Sequence, residues 1–384
     1  MKDTSKGARA GPNSLPPKSQ FSQKPVRSRE PGLAQNGKAI SKPSSSRKKQ
    51  PVRFAALDLG TNNCRLLIAS PRGKTMRIVD AFSHIVRLGE DLSRTGELSE
   101  AAMARTIKGL KICAKKIQYR GVTHIRLIAT QACRGANNSD EFLARVKRDT
   151  GLSLEVISAQ EEARLAVLGC QDLFDAQAKA VLVFDIGGGS TEISWVKKLP
   201  VDGPGKENNA LVTNEIVNWS SLPFGVVNLA EKWGGKETSR ETYDKIVEEV
   251  AQAVDKLGDK QGLKTLFENG DAHLLGTSGT VTSIAGVHLQ LEQYRRMDVD
   301  GLWLSAECVR DVSESLRAMS FDQRANQPCI GIERADLVVS GCAILEGIMK
   351  HWPSQRIRVA DRGLREGILM ELAQQARGKK GRSV

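Results

Sequence analysis

The sequence predicts an α/β protein made of two similar halves, and two observations carry that expectation. From Val52 onward, short apolar runs alternate with longer amphipathic stretches, as when strands and helices alternate along a chain. In addition, a strand running into a turn of aspartate, glycine and small hydroxyl or amide residues occurs twice, in VRFAALDLGTNNCRLL from Val52 to Leu67 and in AVLVFDIGGGSTEIS from Ala180 to Ser194. Duplication of one unit is the economical explanation.

In the first half, strands are expected over 52–58, 64–70, 75–82, 125–130 and 154–158. Ser99 is placed to cap a helix whose apolar face is Ile107, Leu110, Ala114 and Ile117, with Lys108, Lys111 and Lys115 on another, solvated face. The second half offers strands over 180–186, 192–196, 212–219, 273–280 and 357–361, helices near 238–257 and 262–269, and a final amphipathic helix in RGLREGILMELA. Between them VDGPGKENNA, rich in Gly, Pro and Asn, reads as a surface hairpin loop. These elements divide the chain into domains at 51–175 and 176–384, the last helix being free to pack on the first domain.

Composition narrows the class of protein. The 384 residues carry a net charge of +13, but residues 1–50 hold twelve Lys and Arg against Asp3 and Glu30 and so account for +10. This Pro-, Ser- and Lys-rich segment has too few apolar residues to offset its ordering entropy and is expected to be a disordered basic tail. It is either a solubilising extension or an attractor of polyanions, and nucleic acid is a partner only through it. No apolar run approaches the roughly 18 residues of a membrane span, and the N-terminus lacks a signal-peptide core. Seven scattered cysteines without CxxC spacing suggest a reducing, cytoplasmic setting. The five histidines supply no Ser/His/Asp set.

The chemistry concentrates in the turns. Glycine lets backbone N–H groups approach a phosphate, hydroxyls and amides add donors, and aspartate holds a cation or orients water. In DLGTNNCR these are Asp58, Gly60, Thr61, Asn62 and Asn63, with Arg65 beginning the next strand; an ordinary hairpin turn is the competing reading. In DIGGGSTE, three successive glycines are too costly in entropy merely to turn a chain, so Gly187, Gly188 and Gly189, with Ser190 and Thr191, are expected to face an anion beside Asp185. The GK[ST] ending of a Walker A loop is missing. A third turn, LLGTSGTV, serves either an anion or a helix entry.

In ISAQEEARLAVLG, Ser158 and Glu161 fit a capping box, which gives Glu161 a structural task. Glu162 points about 100° away around the helix and is free to work on water, or is a surface glutamate. Arg65, Arg87, Arg134, Arg334, Arg362 and Arg365 lie near the turns and suit a polyanion, with Glu366 as an orienting partner for one of them.

Together these motifs resemble the exopolyphosphatase and guanosine pentaphosphate phosphatase family, within the actin, sugar-kinase and heat-shock-ATPase superfamily. The matching blocks, from ALDLGTNNCRLLIA and FSHIVRLGEDL through VFDIGGGSTEIS to RVADRGLREGIL, stand in family order from about residue 52 to 372. The resemblance implies two ribonuclease-H-like domains with a cleft between them, hydrolytic removal of a terminal phosphate from polyphosphate or guanosine pentaphosphate, Mg²⁺, and a homodimer. It implies that Asp58, Gly60, Thr61, Asn62 and Arg65 form one phosphate loop, and Asp185, Gly187, Gly188, Gly189 and Ser190 the other. Arg87 would hold the phosphate chain, Asp185 and Glu162 the metal, and Glu162, or less favourably Glu161, would be the base. Where the family often has an acidic residue, Gln131 and Gly135 are neutral, which leaves a binding sensor as a rival. A kinase or ATPase of the superfamily is another. The chain ends soon after LREGILMELA, short of the helical domains of longer relatives, so limited processivity is expected.

Overall fold

Strand β1 (Phe54–Leu59) is central to the first sheet and buried on both sides, hence its apolar run from Phe54 to Leu57 ahead of Asp58. The computed structural model describes residues 51–73, 75–200, 212–259 and 262–380. The expected tail at 1–50 and loop at 201–210 lie outside them. With β2 (Asn63–Arg72), β3 (Thr75–Ile85), β4 (His124–Ala129) and β5 (Glu155–Val156), β1 forms a sheet in the order β3-β2-β1-β4-β5. The second sheet contains β6 (Ala180–Ile186), β7 (Thr191–Pro200), β8 (Val212–Leu222), β9 (Ala272–Thr277), β10 (Trp303–Ser305) and β11 (Arg356–Ala360), ordered β10-β11-β9-β6-β7-β8. In each, an antiparallel meander of three strands is extended by parallel pairing, β1 with β4 and β6 with β9. The halves thus share one topology. The three-residue β10 was not foreseen because it is too short to show alternation, and of 154–158 only two residues pair.

Ser99 accepts from the Ala102 N–H at 3.2 Å and starts the helix Glu100–Tyr119, whose Ile107 and Leu110 pack with Ala55, Leu57 and Leu59 of β1. The opposite face of β1, with Phe54 and Ala56, is covered by Leu364, Ile368, Leu369 and Leu372 of the terminal helix Leu364–Lys380. Burying those four side chains contributes roughly 6–12 kcal/mol before entropy is subtracted. A chain end that begins beside the second sheet is thereby fastened to the first.

Helix Ala159–Cys170 joins the two lobes. Leu165 packs on the first-lobe cluster, while Val167 and Cys170 pack with Val181 and Val183 of β6. It crosses the terminal helix so closely that a Cβ on Gly169 would lie 1.9 Å from the Gly363 carbonyl oxygen, and one on Gly367 2.1 Å from that of Leu165. Residues 50–384 form one unit.

Candidate active site

The ends of β1 and β6 face a cleft of about 870 Å³. Its walls include Asp58, Gly60, Thr61, Asn62, Asn63 and Arg65 from the first lobe, Glu162 from the joining helix, and Asp185, Gly187, Gly188, Gly189, Ser190 and Ser278 from the second. Both turns are oriented alike. The Asn62 carbonyl accepts from the Val86 and Arg87 N–H groups, and the Thr61 carbonyl from Gly89. The Gly187 and Gly188 carbonyls accept from Val226 and Val227. With their carbonyls tied back, the N–H groups of Thr61, Asn62, Gly188 and Gly189 have no acceptor among the described residues. Such convergent donors form an anion-binding concavity.

The turns also touch. A Cβ on Gly188 would lie 2.9 Å from the Thr61 Cβ and 3.1 Å from the Asn62 nitrogen, so glycine here permits one lobe's loop to rest on the other's. At the third turn, Thr277 ends β9 and Ser278, held at φ 79°, starts a helix while its hydroxyl donates to Asp185. A left-handed non-glycine residue is strained, and such strain clusters at functional sites.

Strand register sets the charges. Asp58 stands opposite Arg65 across β1 and β2, whereas the equivalent Asp185 stands opposite Glu192 across β6 and β7. Glu192 was missed by the sequence reading; its place seven residues beyond Asp185, across a tight turn, was the available signal. It is buried and accepts from the Ser190 and Ser221 hydroxyls at 2.7 and 2.9 Å. Burial and the Asp185 charge push its pKa up to about 7. Glu162 is raised well above the usual carboxylate range, by burial first and then by Glu192, while Arg134 opposes the shift. Arg134 donates to Glu162 at 2.7 Å and is itself held by Gln131, whose oxygen accepts at 2.9 and 3.2 Å. The neutral Gln131 therefore orients the partner of the carboxylate. Burial also raises Asp58 and Asp185.

Three expected site residues lie elsewhere. Thr191 is fully buried and donates to the Phe224 carbonyl at 2.6 Å, because alternation along β7 turns it away from the cleft. Glu161 binds Arg164 and Arg126 on the far side of its helix, and Arg126 and Arg164 also bind Glu371 of the terminal helix. Ser158 accepts from the Glu161 N–H, but the Glu161 carboxylate goes to these arginines rather than back to the cap. Arg87 forms a two-pronged pair with Asp336 of the second lobe at 2.9 and 3.1 Å, outside the main cleft. Of the remaining arginines, Arg134 and Arg362 are paired, with Glu162 and Asp300, and Glu366 pairs with Arg296. Among the described residues the guanidinium groups of Arg65, Arg334 and Arg365 have no hydrogen-bond or ion-pair partner, and all three line the cleft or the space beside it.

Among the described residues no three His, Cys, Asp or Glu side chains converge as a ready cation cage. The donor set nevertheless fits Mg²⁺, which is commonly held by one or two carboxylates plus water and substrate phosphates. Asp58, Asp185 and Glu162 line the cleft as hard oxygen donors, Glu192 lies near enough to influence Glu162, and among the described residues the buried side-chain oxygens of Asn62 and Asn63 lack any donor.

Comparison with known proteins agrees with this geometry. The sequence model of the Ppx/GppA phosphatase family matches residues 67–376. A bifunctional 3-dehydroquinate synthase/phosphatase of Fusobacterium nucleatum is 30% identical over 329 residues, covering 83% of this chain and 46% of that protein, so the chain spans about half the length of this curated relative. An Aquifex aeolicus Ppx/GppA family member aligns with a TM-score of 0.66 at 27% identity, covering 85% of this chain and 98% of that one. An exopolyphosphatase from Cytophaga hutchinsonii aligns at 0.70 and 25%, covering 84% and 98%. Two matched lobes of the actin-like kind, paired Asp/Gly turns across one cleft, and a family match over most of the sequence have a single reading: the chain belongs to the Ppx/GppA phosphatase family.

Proposed function

We propose that this protein hydrolyses the terminal phosphoanhydride of inorganic polyphosphate. The observation that carries the reading is the pair of turns whose carbonyls are tied back and whose N–H groups are left without acceptors around one cleft. In this reading the terminal phosphoryl group sits between Thr61, Asn62, Gly188 and Gly189, with Arg65 and Arg334 on its oxygens and on the next phosphate. Glu162 takes the proton of the attacking water, which enters in line with the departing oxygen. A raised pKa suits a base near neutral pH. Asp185, Asp58 and Glu162 are the residues that would hold Mg²⁺, which when bound neutralises phosphate oxygens.

Guanosine pentaphosphate is the second reading. Val226, Leu337 and Val338 give the cleft an apolar flank suited to a nucleobase, and the alarmone presents the same terminal bond. Orthophosphate release from polyphosphate, guanosine pentaphosphate and ATP, each with and without Mg²⁺, separates the cases. Faster Mg²⁺-dependent release from polyphosphate is expected. Preference for the pentaphosphate selects the second reading, and binding without release from any substrate selects a sensor.

A further inference from the structure

A second, smaller chamber adjoins the cleft on the side of the connection between β11 and the terminal helix. The two spaces share Asp58, Arg65, Asp185, Ser278 and Leu364, so the ends of β1 and β6 and the start of the terminal helix form a common wall. On the side away from the cleft the Asp361 and Arg362 side chains are 26% and 28% exposed.

Three of its four acidic groups already have donors, Asp185 from the Ser278 hydroxyl, while Asp58 has none among the described residues and feels the charges of Arg65 and Arg365. Asp361 accepts from the Tyr294 hydroxyl at 2.7 Å, and Glu366 accepts from Arg296 at 2.8 Å and from the Gly363 N–H at 3.0 Å. Arg365, by contrast, projects an unpaired guanidinium into this space, and Arg65 stands unpaired at the shared wall. Burial pushes the pKa of Arg365 down, with Glu366 the main opposing influence. Asp58 and Asp361 oppose that shift as well, so nearby carboxylates favour the charge although none is bonded to it. Two forked donors in a polar chamber beside a phosphate-binding cleft suit a small tetrahedral anion, because the planar fork matches two of its oxygens.

We propose that this chamber is the exit site for orthophosphate. The inference rests on the hydrolysis proposed above. Once the terminal bond is cleaved, the shortened substrate still fills the entrance at Arg334, and the freed phosphate passes over the shared wall from Arg65 to Arg365. Entry and exit then use different openings.

Direct binding of inorganic orthophosphate, followed by calorimetry and ³¹P line broadening on the full chain, tests the site without any turnover. Arg365→Gln is expected to weaken it about tenfold, the loss of one charge-assisted contact, with Arg365→Lys in between and Arg334→Gln much less affected. The melting temperature of Arg365→Gln is measured alongside, so that lost binding is separated from a folding defect. In turnover, its inhibition by orthophosphate weakens by the same factor, and its steady-state rate falls several-fold more than its single-turnover rate. Unchanged orthophosphate binding in Arg365→Gln overturns the site. Equal losses in single-turnover and steady-state rates overturn the exit role, placing Arg365 on the reacting phosphate instead. If no substrate releases phosphate, the hydrolytic reading and the exit role fail together, while the binding measurement still decides whether the chamber holds the anion.

Discussion

Arg134 and Glu162 meet at 2.7 Å in the wall of the cleft, and Gln131 grips the other edge of the same guanidinium. The arginine opposes the upward shift that burial and Glu192 impose on Glu162. Arg134→Met removes that opposition, so the acid limb of the pH–rate profile is expected to move to higher pH. An unmoved acid limb would show that another group titrates there.

Adjacent glutamates on one helix have opposite tasks. Glu162→Gln keeps the shape, removes a buried charge, and is expected to retain the melting temperature while the rate drops about 10²-fold or more. Glu161→Gln loosens the contacts to Arg126 and Arg164 and is expected to lower stability by roughly 1 kcal/mol, with little change in rate. Near-normal turnover in a folded Glu162→Gln protein rules out its role as base.

Glu192 makes stability depend on pH in a defined direction. Its folded pKa of about 7 lies above the ordinary 4.5, so between those values the folded state binds more protons than the unfolded one. Stability therefore falls as pH rises from 4.5 to 7, by at most about 3 kcal/mol for this group. Glu192→Gln is expected to flatten that slope and raise the melting temperature at pH 8. Mg²⁺ is expected to stabilise the parent protein more at pH 8 than at pH 5.5, when scanning calorimetry is run at both.

Gly188 lies against Thr61 and Asn62 with no room for a methyl group. Gly188→Ala must push the lobes apart or shift a loop, at about 1–3 kcal/mol. A rate loss of at least tenfold is expected to accompany the lower melting temperature. A variant as stable and as active as the parent would mean that the turns do not close on each other in solution.

Arg87 pairs across the lobes with Asp336. In a double-mutant cycle, Arg87→Gln and Asp336→Asn are expected to couple by roughly 0.5–1 kcal/mol, as for a partly exposed pair. Additive effects, together with a raised KM in Arg87→Gln alone, would instead return Arg87 to the phosphate chain.

Much of the site was legible because its signals are local. A turn that needs Asp, Gly and small polar residues writes all of them within eight positions, as at 58–65 and 185–192. The S-x-x-E spacing likewise separated Glu161 from Glu162, although the partners of Glu161 are arginines, one of them on β4. Arginines were harder to place, because a long side chain finds its partner by tertiary proximity; nothing near Arg87 in sequence announces Asp336.

The sequence by itself determined two repeated strand–turn units and the residue types at their tips, since apolar periodicity and glycine are read one neighbour at a time. Only the tertiary structure decided which carboxylates share a wall, which arginines are left unpaired, and that the terminal helix closes the first lobe. Those outcomes depend on strand register and on contacts between segments as much as 300 residues apart, such as Arg377 with the Gly73 carbonyl. Burial then raised the pKa of these carboxylates, Glu192 to about 7 and Glu162 well above the ordinary carboxylate range.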